Sequence, residues 1–266
     1  ETQFFNRTDE INILSNLLIS TEFNSSPTIL LTGIRGVGKT ALIKKIKNKF
    51  KKEYLVVDID LSRSNAYQQK NLTRASMIKI IYDTIIKSSK EFGLKTINKQ
   101  IEKYFKTKNF KIDKLLSYEH IPIPIFESED NYEKLAEFVM ELPQKIYENN
   151  DKLKGVFIFI DEIQLMKDLG DELNGFLWYM RSFIQTQKNV AYLFCGSMSL
   201  KDSLINDLNG NQGAFGGRML TIEIQPFSKQ TTENYIKSMT RNIQLDDDGF
   251  ERFYKCTRGI PYYINI

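Results

Sequence analysis

The sequence predicts an α/β protein: a three-layer α/β/α core around a five-stranded parallel sheet, followed by a small helical C-terminal domain. Three observations predict it. Short apolar, β-branched runs recur along the 266 residues with helical patterns between them, the alternation of a parallel sheet covered on both faces. The first long run, Thr28–Thr32, passes directly into Gly33–Thr40, GIRGVGKT, and then into the amphipathic stretch Ala41–Phe50. Beyond Pro226 the strand-like runs stop and amphipathic helical text takes over.

Taken in order, Phe5-Asn6-Arg7-Thr8-Asp9-Glu10 precedes a helix over Ile11–Leu18, with Thr8 as its cap and two acids in the favourable first turn. The octapeptide after the Thr28–Thr32 strand matches G-x-x-x-x-G-K-[ST]. Its glycines allow a tight turn, so that successive N–H groups form an anion nest at the positive end of the following helix. Gly33, Ile34, Arg35, Gly36, Val37, Gly38, Lys39, Thr40 and Ala41 are therefore the expected phosphate cradle. Lys39 would reach β- and γ-phosphates, and the Thr40 hydroxyl would ligate Mg²⁺. A chance match in a glycine turn is the alternative, and the strand before and helix after speak against it. The fold expected is that of the P-loop NTPases.

The second strand is Tyr54–Ile59, and a helix follows from Leu72 to about Phe92. An insertion at about 95–130 comes next. It holds the Lys-rich helical stretch Thr96–Lys108 and then Ile121-Pro122-Ile123-Pro124-Ile125, whose prolines impose extended backbone. Such insertions usually carry specificity. Glu127-Ser128-Glu129-Asp130 would cap a helix from about Tyr132 to Asn149, kinked at Pro143. The buried strand Val156–Ile160 then delivers Asp161 and Glu162 beside the phosphate loop, from the end of what is expected to be the neighbouring strand. Asp161 would hold Mg²⁺, and Glu162 would orient and deprotonate an attacking water. A solvated acidic turn is the plain alternative. The fourth strand, Val190–Cys195, ends in Gly196-Ser197. Ser197 is the candidate to sense the γ-phosphate or hold the lytic water, with an ordinary Gly-Ser turn as the other reading.

Gly210 to Gly217 contains four glycines, reads as a mobile loop, and leads into Arg218 ahead of the last strand, Met219–Ile224. Two readings of Arg218 stand side by side: stabilising transition-state charge from a neighbouring subunit, or a structural surface arginine. Helices are expected near Lys229–Asn242 and Asp247–Cys256, with a third opening after Gly259-Ile260-Pro261.

Composition bounds the chemistry. Apolar residues make up 41% of the chain, enough for a full core. No run approaches the roughly 18–20 apolar residues of a membrane span, and no signal-peptide pattern opens the chain. His120 is the only histidine, so histidine-based catalysis and metal sites have almost no material. Cys195 and Cys256 are far apart and share no metal-ligand spacing; a reducing, cytoplasmic setting fits. Net charge is +4. The basic stretch Lys103, Lys106, Lys108 and Lys111, interleaved with Tyr104, Phe105 and Phe110, reads as solvated surface or as a contact for nucleic acid or an acidic partner. Position 1 is Glu, so the sequence reads as the ordered part of a longer chain.

Several features fall in one consistent order: F-x-R-x-x-E (Phe5, Arg7, Glu10), GIRGVGKT, the apolar run ending in Asp161-Glu162, the strand ending in Gly196-Ser197, Gly217-Arg218, and G-x-P (Gly259, Pro261). In this set the chain resembles the archaeal-type ATPases of the STAND group, relatives of the origin-recognition and helicase-loading AAA+ ATPases. The resemblance implies ATP rather than GTP, in keeping with the lack of an N-K-x-D motif. It implies that Phe5 and Arg7 line an adenine pocket that Pro261 closes from a helical lid. It also implies a core over 1–226, a lid over 227–266 and a winged-helix domain beyond. Ser197 stands where helicase-loader relatives often carry Asn, and no arginine occupies the usual lid position. The expected function is an ATP-binding, slowly hydrolysing, Mg²⁺-dependent switch that controls a downstream or partner module and alternates between ATP and ADP. A nucleotide-dependent homo-oligomer is a further expectation, and a membrane is not. The alternatives are a DNA-binding initiator or loader ATPase, using the insertion or the absent domain, and a P-loop small-molecule kinase.

Overall fold

Among the described residues seven strands form, in chain order: β1 (Thr28–Thr32), β2 (Leu55–Asp60), the short β3 (Leu116–Tyr118) and β4 (Ile121–Ile123), β5 (Val156–Asp161), β6 (Val190–Cys195) and β7 (Leu220–Glu223). The helices are α1 (Thr8–Ile19), α2 (Lys39–Phe50), α3 (Asn65–Gln68), α4 (Arg74–Phe92), α5 (Glu129–Glu148), α6 (Glu172–Ile184), α7 (Ser203–Asn209), α8 (Lys229–Met239), α9 (Asp247–Thr257) and α10 (Pro261–Ile264). The computed structural model describes residues 5–70, 72–94, 116–118, 121–123, 129–198, 202–239 and 245–265. The expected Lys-rich helix at Thr96–Lys108, and Pro124 to Ser128, lie outside them.

Five strands make one parallel sheet in the order β2-β5-β6-β1-β7, while β3 and β4 pair antiparallel as a separate hairpin. In the central strands β5 and β6 both faces are covered, which is why Val156–Ile160 and Val190–Cys195 are continuously apolar. Along β5, Ile158 and Ile160 face one core with α4, α5 and α6, whereas Phe157 and Phe159 face the other with α1 and α2. Strand β7 pairs only with β1 and is largely exposed on its outer side.

Two expectations need correction. The strand bearing Asp161 and Glu162 is not the neighbour of β1, because β6 lies between them. Chain order does not encode that crossover, yet the shared parallel direction still brings the carboxyl ends of β1, β5 and β6 to one rim. Thr8 is not the cap of α1 either. Arg7 occupies that position, no side chain caps the helix, and Thr8 is its first residue. Pro143 lies inside α5, which continues to Glu148.

Candidate functional site

Strand β1 ends at Thr32, and the chain turns through Gly33 to Gly38 into α2. At Gly33 φ is +141°, and a Cβ there would lie 2.6 Å from the Ile224 carbonyl oxygen, so only glycine fits against the end of β7. The Lys39 side chain folds back over the loop, and Nζ donates to the carbonyls of Gly33 (2.8 Å) and Ile34 (3.0 Å). Lys39 is only 6% exposed. Burial pulls its pKa below the ordinary lysine value, against the opposing charges of Cys195, Asp161 and Glu162.

One residue on, the Thr40 hydroxyl donates to Asp161 Oδ2 at 3.1 Å. Asp161 Oδ1 in turn accepts the Glu162 N–H at 2.9 Å, which holds Glu162 in the left-handed region (φ 58°). Hydroxyl and carboxylate oxygens converging next to an anion nest are the donor set Mg²⁺ takes when phosphate oxygens complete its shell. Among the described residues no group of three or more His, Cys, Asp or Glu could hold a metal unaided. Cys195, the buried last residue of β6, has its thiol pKa raised by burial and by the adjacent Asp161 carboxylate.

A cavity of about 1220 Å³ opens in front of these groups, lined by Arg35 to Ala41, Glu162 and Ser197 on one side. Phe5, Arg7, Phe227, Tyr235, Pro261 and Tyr262 line the other side. Gly33 and Ile34 are not among its lining residues and meet Lys39 through their carbonyls; Asp161 stands behind Thr40. The Phe5 ring packs against Tyr235 (centroids 5.1 Å apart) and edge-on to Phe227 (6.4 Å). Arg7 is buried and its donors are engaged: NH1 to Glu10 Oε1 (2.8 Å), NH2 to the carbonyls of Val37 (3.2 Å) and Gln225 (2.7 Å). Its guanidinium also lies 4.9 Å from the Phe227 ring centre.

The C-terminal helices meet the Gly33–Thr40 loop directly. The Tyr262 N–H donates to the Gly36 carbonyl at 3.2 Å. Gly36 has φ +83°, and a Cβ on it would sit 2.8 Å from Tyr262 Cβ. Arg218 is elsewhere: it is exposed and lines none of this cavity. The sequence pattern did not single out Tyr262, Tyr235 or Gln164. The first two follow or precede the G-x-P turn without a motif of their own. Gln164 donates to the Glu162 carboxylate and accepts the Ser197 N–H at 3.1 Å.

Comparison with known proteins gives a consistent answer. A family model described as an ATPase domain predominantly from Archaea matches residues 4–265. No curated protein matches the chain. Among solved structures, a Walker-type ATPase of Pyrococcus abyssi superposes with a TM-score of 0.60 at 18% identity, over 98% of this chain and 65% of that one. The Orc1 protein of Aeropyrum pernix in complex with DNA gives 0.57 at 12% identity, over 99% of this chain and 58% of the other. Drosophila ORC bound to DNA gives 0.58 at 10%, over 99% and 54%. The chain thus spans between about half and two thirds of the length of these structures, and at such identities the likeness is one of fold.

Proposed function

Because this chain belongs to the family of ATPase domains found predominantly in Archaea, we propose that it is a slowly hydrolysing ATP switch of the STAND/AAA+ type that controls a downstream or partner module. The observation that carries the reading is the single cavity joining the Lys39 loop, the Glu162 carboxylate and the C-terminal Pro261–Tyr262 turn. Triphosphate would lie along Gly36–Thr40, with Lys39 exchanging its two loop carbonyls for phosphate oxygens. Mg²⁺, held by Thr40 and Asp161, would neutralise charge on the β- and γ-phosphates. Glu162 would take the proton of the attacking water, and Ser197 at the tip of β6 would face the γ-phosphate. Phe5, Arg7 and Pro261 would bound the base-side half of the cavity, on a core over 1–226 and a lid over 227–266.

The switch follows from the lid's grip on the loop. Tyr262 bonds Gly36 itself, so any change in the loop on phosphate binding or release changes the lid's contact. A population shift needs differential contact of that kind. Arg218, exposed and remote from its own cavity, suits a neighbouring subunit's phosphate in a nucleotide-dependent homo-oligomer. A buried Cys195 and exposed, unbridged Cys256 suit a cytoplasmic setting. No helix among the described residues is long and apolar enough to cross a membrane. DNA binding is the second reading, favoured by the basic stretch Lys103–Lys111, which lies outside the described residues. Affinity falling steeply with salt would support it.

Titration calorimetry with ATP and Mg²⁺ tests the main reading. Lys39→Ala should abolish the heat of binding, while Glu162→Gln should keep it and lower turnover by about 10²- to 10⁴-fold. Unchanged affinity in the first variant, or parental turnover in the second, refutes the assignment of that residue.

A further inference from the structure

We propose that Gln164 is the positioning residue for the Glu162 base, linking its carboxylate to the tip of β6. The inference rests on the ATPase reading of the site and extends it to a residue outside the phosphate motifs. The Gln164 amide is held at both ends: Nε2 donates to Glu162 Oε2, and Oε1 accepts the Ser197 N–H at 3.1 Å. Its orientation is not ambiguous. A carboxylate can only accept and a backbone N–H can only donate, so the reversed amide would lose both bonds. Glutamine is the neutral side chain long enough to serve both; asparagine is one carbon short, and glutamate would set a second carboxylate against the first.

A second observation points the same way. Gly196 does not have a positive φ, so backbone conformation does not demand glycine there. Its place beside Gln164 is what matters: a Cβ on Gly196 would lie 2.8 Å from Gln164 Oε1, 2.8 Å from Met198 Cε and 2.9 Å from Ile163 Cγ1, so a side chain there would push the amide aside. The glycine at the end of β6 thus makes room for the Gln164 amide. Glu162 is fixed from both sides, its own N–H on Asp161 Oδ1 and one carboxylate oxygen on Gln164. Oε1 is left for a water in the cavity that Glu162 and Ser197 line. The hydrogen bond from Ser197 makes the base sensitive to the position of the strand tip that would face the γ-phosphate.

Steady-state ATP hydrolysis by the whole chain tests this, with Gln164→Ala, Gln164→Glu and Glu162→Gln beside the parent. Gln164→Ala should lower kcat by about 10- to 100-fold, the cost of a misplaced base, and leave KM and ATP affinity within about twofold. Gln164→Glu should lower kcat as well, because a carboxylate can still accept the Ser197 N–H but has no donor for Glu162. Adding Gln164→Ala to Glu162→Gln should cost nothing further. A parental kcat in Gln164→Ala, or a loss confined to KM, overturns the proposal while Glu162→Gln remains inactive. Turnover that survives Glu162→Gln removes the base itself, and the proposal falls with that part of the functional reading.

Discussion

Arg7→Met removes a buried cation while keeping most of its volume, and its effect separates a structural arginine from a base-contacting one. In the parent, NH2 bonds the Gln225 and Val37 carbonyls at 2.7 and 3.2 Å, and NH1 bonds Glu10 at 2.8 Å. A hydrogen bond from a charged donor is worth about 1.5–3 kcal/mol. The Glu10 side chain is 26% exposed, so it rehydrates and that pair contributes at most about 1 kcal/mol. The ring contact with Phe227 adds roughly 1 kcal/mol. These terms share one group and do not add fully, so the expected loss is about 3 kcal/mol. In a domain of this size that lowers Tm by roughly 6–12 °C. Thermal and urea unfolding without nucleotide reads it, and a loss below about 1 kcal/mol would refute the structural assignment. The same variant should weaken ATP and inorganic tripolyphosphate together, because Arg7 holds the loop at Val37. Weakening of ATP alone would show that Arg7 contacts the base itself.

Two further substitutions act on the same loop. Gly36→Ala forces a side chain to φ +83° and 2.8 Å from Tyr262 Cβ; the left-handed backbone alone costs about 1–2 kcal/mol. Hydrogen exchange at the Tyr262 amide should accelerate and ATP affinity should fall, and unchanged exchange would show that the lid does not rest on the loop. Lys39→Met tests the buried ammonium through pH. The folded-state pKa of Lys39 is lowered from 10.5 by burial, so the unfolded chain binds more protons between that lowered value and 10.5. Parental stability without nucleotide therefore gains on rising through that window, and the burial penalty is fully present below it. The methionine variant should lack this alkaline gain and be the more stable protein at neutral pH. A parallel pair of stability–pH curves would refute the assignment.

How much of this was legible in the sequence depends on how local each cause is. Strands β1 and β6 are readable residue for residue, because burial on both faces leaves an uninterrupted apolar run. The tight turn after β1 is readable because its glycines stand at fixed spacing, and Gly33, Gly36 and Gly38 all take positive φ. Strand order is not: nothing in Val156–Asp161 says that β6 separates it from β1. The cap of α1 misleads for a related reason. Thr8 has the right chemistry for a cap, but Arg7 takes the position, and its side chain is drawn to carbonyls 30 and 218 residues away. Gln164 carries a trace in the sequence only when read with Gly196, and the pairing needs coordinates to be seen.

The long-range bonds converge on the connection after β7, and this bears on how the switch would work. Arg7 holds the Gln225 carbonyl and lies against the Phe227 ring. The Phe227 N–H donates to the Gly259 carbonyl at 2.8 Å, just before the turn whose Tyr262 bonds Gly36. The connection between sheet and C-terminal helices is thus gripped by the residue that also grips the Gly33–Thr40 loop. Through Arg7, a shift of Val37 on phosphate binding would load this connection at Gln225; through Tyr262, a shift of Gly36 would load the far end of the same segment. A lid tied at one point could rock without consequence for the loop. One tied at both ends has fewer arrangements, and in the proposed switch nucleotide contacts at Gly36–Thr40 would select among them.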